Sequence, residues 1–129
     1  MPNTEPKKIL IVDDEAYIRL LIEQTLEDLE DKGVEIITCD NGTDALRLIQ
    51  AEQPKLVFMD VMMPKMNGFE VCRTVKHGLN LQQVYIVLLT AKGEEYDRQM
   101  GQEAGADRYI TKPFDPDEVL DLAIQILKI

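Results

Sequence analysis

The sequence predicts a doubly wound α/β fold, an open parallel sheet with helices on both faces. Three observations lead there. Five short runs rich in Ile, Val and Leu alternate with stretches of helical period. The runs lack the polar alternation of a half-exposed strand, as strands covered on both faces do. Turn residues stand between the segments, so each can be bounded.

Taken in order, the predicted strands are Lys8–Asp13, Val34–Cys39, Leu56–Asp60, Tyr85–Thr90 and Asp107–Thr111. Helical stripes lie between and after them. Ile18, Leu21, Ile22, Thr25, Leu26 and Leu29 form the first, Ala45, Leu48 and Ile49 another, and Val119, Leu122, Ala123, Ile126 and Leu127 the last. Gly33 and Asn41-Gly42 bracket the second strand, and Pro54 precedes the third. Asp115-Pro116 supplies a capping acid followed by a proline suited to the first helical position. The expectation is five strands in the flavodoxin-like order 2-1-3-4-5 with five helices. Residues 1–7 form a short polar tail and residues 8–129 the domain; no repeat or linker is evident.

Composition narrows the function. A formal charge of -10, from 14 basic and 24 acidic residues, gives no basic footprint for DNA, so direct nucleic-acid binding is not expected. Cys39 and Cys72 lack metal or redox spacing and read as reduced core thiols. No apolar stretch suits a secretory signal or a bilayer span, so a soluble cytoplasmic protein without membrane contact is expected.

In parallel sheets of this kind, ligands bind at the carboxyl ends of the strands. Those ends carry Asp13-Asp14-Glu15, Asp60, Thr90 and Thr111-Lys112-Pro113. Each has a plain explanation of its own: Asp14 and Glu15 as acids favouring a helix start, Lys112 as a surface cation. Their arrival at one edge favours a joint role. Clustered carboxylates repel, and either hold protons or bind a cation. Magnesium takes a few carboxylates and keeps waters and phosphate oxygens in its other positions. A carboxylate is also a nucleophile towards a phosphoryl donor, while a hydroxyl and an ammonium can meet the transferred oxygens. The set reads as a phosphoryl-acceptor site.

Four segments, Ile9–Asp14 (ILIVDD), Met59–Gly68 (MDVMMPKMNG), Leu89–Ala91 (LTA) and Tyr109–Phe114 (YITKPF), resemble the signatures of response-regulator receiver domains of two-component signalling, the chemotaxis regulators included. They occur in family order at compatible spacing across nearly the whole chain. The resemblance implies Asp60 as phosphoacceptor and Mg2+ as cofactor. It implies Asp14 as a direct magnesium ligand, Asp13 as a ligand chiefly through water, and the backbone carbonyl of Met62 as a further ligand. Thr90 and Lys112 would bond the transferred phosphoryl group, Tyr109 would be the switch aromatic, and Lys112-Pro113 would be cis. Such a protein catalyses its own aspartyl phosphorylation and dephosphorylation but is chiefly a switch. Its partners would be a histidine kinase or phosphotransfer protein, a downstream protein target and, on phosphorylation, a second copy. The face made by the fourth helix, fifth strand and fifth helix would carry the signal, with Glu94, Glu95, Asp97, Arg98, Gln102, Asp107 and Arg108 supplying charges for reciprocal pairs. Met62 and Lys92, beside the path of a hydrolytic water, are expected to slow loss of the phosphoryl group.

The rival classes fare worse. A phosphorylation-independent pseudo-receiver is opposed by the presence of Asp13, Asp14, Asp60, Thr90 and Lys112. A dehalogenase-type hydrolase needs an acid two residues after the nucleophile, where Met62 stands. A flavin-binding relative lacks its phosphate loop after the first strand. Tyr109 has a plain reading as a half-buried strand residue, and His77, the only histidine, reads as a helix-end residue rather than a phosphate carrier.

Overall fold

The computed structural model describes residues 6–91 and 95–129. Five parallel strands, β1 (Lys7–Val12), β2 (Val34–Cys39), β3 (Leu56–Asp60), β4 (Tyr85–Ala91) and β5 (Arg108–Lys112), form one sheet in the order β2-β1-β3-β4-β5. The helices are α1 (Ala16–Leu26), α2 (Gly42–Glu52), α3 (Gly68–Arg73), α4 (Glu95–Ala104) and α5 (Pro116–Leu127). A 3-10 turn at Glu27–Lys32 extends α1, and a π-helical turn at Thr74–Gly78 extends α3. The expected order and helix count therefore hold.

The apolar runs lack alternation because each strand feeds two cores. Ile9, Ile11, Leu56, Phe58, Val87, Leu89 and Ile110 pack with Ile22 and Leu26 of α1 and Val119, Leu122 and Ala123 of α5. Their neighbours Leu10, Val12, Val57, Met59, Ile86 and Leu88 turn the other way, onto α2, α3 and α4. With a side-chain period of two, consecutive residues of one strand must go to opposite faces, and on the central strands β1, β3 and β4 both faces are dry. Each fully buried Ile, Leu or Val contributes about 1.5–3 kcal/mol.

Helix starts follow local chemistry. Asn41 Oδ1 accepts the Asp44 N–H at 2.9 Å, Asn67 and Glu70 exchange side-chain and backbone bonds at the head of α3, and Asp115 Oδ1 accepts the Asp117 N–H at 2.9 Å ahead of Pro116.

Boundaries differ from expectation at two strands that matter. β4 runs to Ala91, one residue further than predicted, so Thr90 is within the ladder, paired with Thr111. β5 is shifted by one, to Arg108–Lys112. Asp107 lies before it, and its Oδ2 accepts the Ile86 N–H at 2.8 Å. Lys7, placed by sequence in the tail, is the first residue of β1. Of the two thiols, Cys72 is buried but Cys39 only half so. Burial raises both, to about 12 and about 11 respectively, so neither is a thiolate at neutral pH.

Candidate functional site

β1, β3, β4 and β5 end at the same edge of the sheet, and the side chains there form one constellation. Asp13 is fully buried. Its Oδ1 accepts the Glu15 N–H at 2.9 Å, and its Oδ2 meets Lys112 Nζ at 3.0 Å. The same ammonium lies 3.2 Å from Asp60 Oδ1, so one lysine bridges two buried carboxylates contributed by different strands. Asp60 is 7% exposed. Its carboxyl is pushed up to about 6, first by burial and then by the charge of Asp13; Lys112 opposes this without cancelling it. Burial alone would lower Lys112, but its hydrogen bond to Asp13 and the charge of Asp60 prevail, and it is raised.

Asp14 and Glu15 are exposed beside this pair. One carboxylate oxygen from each of Asp13, Asp14 and Glu15 lies within 4.8 Å of the others. The sequence assigned Asp60 to the metal group and left Glu15 out. The geometry gathers Glu15 with Asp13 and Asp14 and joins Asp60 to them through Lys112. A donor set of hard oxygens alone, partly open to solvent, suits magnesium or calcium rather than a thiophilic or imidazole-seeking metal. The negative charge that Lys112 leaves uncompensated fits a divalent cation as well.

Thr90 is buried at the end of β4. Tyr109 is half-buried on β5, packed with the core beneath α2, α3 and α4. In register Tyr109 lies beside Leu88, two residues before Thr90, so Thr90 and Tyr109 share one face of the sheet on adjacent strands. The Lys112-Pro113 bond is cis. Met62 follows Asp60 by two residues with its side chain 75% exposed. Lys92 and Glu94 lie outside the described residues, as do the side chains of Glu95, Asp97 and Arg98.

Two glycines seat the loop after β3. A Cβ on Gly68 would stand 2.5 Å from the Asp60 carbonyl oxygen, and one on Gly42 would stand 1.9 Å from that of Met66. The heads of α3 and α2 can approach that loop so closely only without a side chain. Sequence had marked Gly42 as punctuation; its role against Met66 needs long-range contact to be seen. Arg19 was also missed. Its Nη1 donates to the Asp13 carbonyl oxygen at 2.7 Å.

The surface expected to carry reciprocal charges is altered. Asp107, still partly exposed, is tied to a buried lysine, its Oδ2 2.7 Å from Lys76 Nζ, and Arg108 pairs with Glu118 at 3.7 Å. Lys76 itself, 2% exposed, was not singled out from sequence. A signal existed: with Phe69 and Cys72 it continues an apolar stripe at spacings of three and four. His77 lies in the π-helical turn, exposed, its Nε2 3.3 Å from the Glu103 carbonyl oxygen. A cavity of about 580 Å³ opens at the opposite end of the sheet, among Pro6, Lys8, Glu52 and Lys55, away from every carboxylate of the constellation.

Known proteins share this fold. A family model described as the response regulator receiver domain matches residues 9–124. The alkaline phosphatase synthesis transcriptional regulatory protein PhoP of Bacillus subtilis (strain 168) is 45% identical over 113 residues, covering 88% of this chain and 45% of PhoP. The ycf27 protein of Porphyra purpurea is 46% identical over 117 residues, 91% of this chain and 46% of that one. The chain thus spans less than half the length of these relatives. Among solved structures, the chemotaxis response regulator CheY4 of Vibrio cholerae superposes with a TM-score of 0.81 at 31% identity, over 94% of this chain and 98% of that one. The BeF3-activated DrrB receiver domain does so at 0.81 and 32%, over 96% and 99%. Among the described residues no helix is long and apolar enough to cross a membrane.

Proposed function

Because the chain belongs to the response regulator receiver family, we propose that it accepts a phosphoryl group on Asp60 in a magnesium-dependent reaction. The donor is a phosphohistidine on a histidine kinase or phosphotransfer protein. The observation that carries this reading is the buried Asp60 carboxylate, raised to about 6 although Lys112 touches it. Among the described residues the site holds more negative charge than the Lys112 ammonium balances, an arrangement suited to a cation and a phosphoryl group together.

Each residue has a task. At neutral pH Asp60 is mostly ionised, and one of its oxygens attacks phosphorus in line with the departing imidazole nitrogen. The O–P bond forms, the P–N bond breaks, and the imidazole keeps the bonding pair and takes up a proton. Asp13, through water, and Asp14, Asp60 and the Met62 carbonyl would hold magnesium. That ion would offset the carboxylate charge and draw charge from the phosphoryl oxygens. Lys112, already 3.2 Å from Asp60, is placed to pair with one phosphoryl oxygen. Thr90 offers a hydroxyl to another.

Thr90 moving towards the phosphoryl group would free space on the sheet face it shares with Tyr109. The result is a population shift between two packings of α4, β5 and α5. That face would meet a downstream protein or a second copy in the cytoplasm. The relatives PhoP and ycf27 are longer, and whether this unit acts alone or within such a chain does not alter the chemistry of the site.

Labelling with acetyl phosphate and magnesium tests the proposal. We expect one phosphoryl group per chain, none without magnesium, and none in Asp60→Asn. Undiminished labelling of Asp60→Asn would overturn the acceptor assignment. A parent chain that never labels would instead make this a phosphorylation-independent binding module.

A further inference from the structure

We infer that Arg19 is a positioning residue for the magnesium site, acting through the peptide that joins Asp13 to Asp14. The inference rests on the proposed function and names a group that function did not include. Asp14, the expected direct ligand, is exposed, and its side chain makes no hydrogen bond or ion pair among the described residues. Only its backbone can aim it. That backbone is held chiefly at Asp13: its N–H donates to the Cys39 carbonyl oxygen at 3.3 Å, and its carboxylate is fixed by the Glu15 N–H and Lys112. None of these bonds grips the far side of the Asp13–Asp14 peptide. Arg19 does, donating to the Asp13 carbonyl oxygen at 2.7 Å. A peptide group is planar, so fixing its oxygen fixes the nitrogen and the direction in which Asp14 leaves the chain.

The choice of partner for Arg19 is informative. Its side chain borders a cavity of about 350 Å³ that Asp40 and Asp44 also line, yet it forms no ion pair with either among the described residues. It spends a donor on a neutral carbonyl instead. A guanidinium gives such a carbonyl a short, charge-assisted bond from a rigid planar group, which a flexible ammonium reproduces only in part. Arg19 reaches from α1, which packs through Ile22 and Leu26 into the core, so the bond ties the ligand peptide to a firmly seated helix. Groups that orient metal ligands from behind typically contribute 10- to 100-fold in affinity.

Calorimetric titration of magnesium into the unphosphorylated protein tests this, with thermal melting in chelator alongside. Arg19→Met keeps the aliphatic stem and removes the donors. We expect its magnesium dissociation constant to rise on the order of 10-fold, with Arg19→Lys recovering part of the loss. Labelling by acetyl phosphate should need more magnesium but reach the parent rate at saturation. A lowered melting temperature with unchanged magnesium affinity would overturn the inference and leave Arg19 as a structural residue. Asp14→Ala separates the two readings. If it loses magnesium while Arg19→Met binds as the parent does, only the role of Arg19 fails; if the parent binds none, the metal reading fails and this inference with it.

Discussion

The two ends of the central sheet both bury charge, and they do so in opposite ways. Where β4 and β5 begin, Lys76 lies 2.7 Å from Asp107 Oδ2 and 2.6 Å from the Val84 carbonyl oxygen, and Gln82 offers a second carbonyl at 3.4 Å. Asp107 accepts the Ile86 N–H with the same oxygen. This cluster is balanced in charge and in hydrogen bonds, a closed set although Asp107 keeps 30% of its side chain exposed. Where the strands end, Asp13 and Asp60 share the ammonium of Lys112, with Asp14 and Glu15 close by and without an ion pair among the described residues. A satisfied pair is costly to break from one side, whereas an unbalanced cluster of carboxylates stores repulsion that a bound cation would relieve.

Breaking the closed cluster should have the larger effect on stability. Lys76→Ala empties the space of a side chain only 2% exposed and leaves the Val84 carbonyl and the partly exposed Asp107 carboxylate without their donor, and should cost about 2–5 kcal/mol. Replacing both partners, as Lys76→Met with Asp107→Asn, should cost much less. Urea denaturation of the single and double variants checks this; a single variant as stable as the parent would remove the contrast between the two ends.

At the open end the sign reverses. The Asp60 carboxyl titrates near 3.8 when unfolded and near 6 in the fold, so folding favours its protonated form. Its contribution is fully present below pH 3.8 and is lost as pH rises through 6. A displacement of that size corresponds to roughly 3 kcal/mol. Metal-free Asp60→Asn should therefore be more stable than the parent at pH 7, by up to that amount, with the gap closing towards pH 4. Magnesium should stabilise the parent and do little for the variant. Melting curves across pH, with and without magnesium, would show it; a variant less stable than the parent at pH 7 would contradict the unbalanced charge.

The smallest expected effect concerns water at the open end. Met62 projects into solvent two residues after Asp60 and has no group to orient a hydrolytic water. Met62→Asn should speed loss of the phosphoryl group by about three-fold, equivalent to under about 1 kcal/mol in barrier. The decay of labelled protein in magnesium measures it, and an unchanged half-life would detach Met62 from the reaction.

The architecture was legible because doubly buried strands need unbroken apolar runs, and Leu56–Asp60, buried at every residue, can be bounded by residue type alone. The candidate site was legible for a related reason: parallel strands deliver their last residues to one edge, and the order 2-1-3-4-5 sets β1, β3, β4 and β5 side by side, so Asp13, Asp60, Thr90 and Lys112 gather there. What sequence could not supply were contacts made across distant segments. Asp107 could be free surface charge or the partner of a buried cation, and only the approach of Lys76, 31 positions earlier, decides it. Gly42 could be any turn glycine until the Met66 carbonyl is found against it. Arg19 bonds a backbone oxygen, a partner that every residue carries and no sequence pattern marks. Residue type and period thus determined the strands, the helices and which side chains stand at the strand ends. Tertiary structure alone decided which charges are balanced, because balance depends on distances of a few ångströms between segments that the chain order leaves far apart.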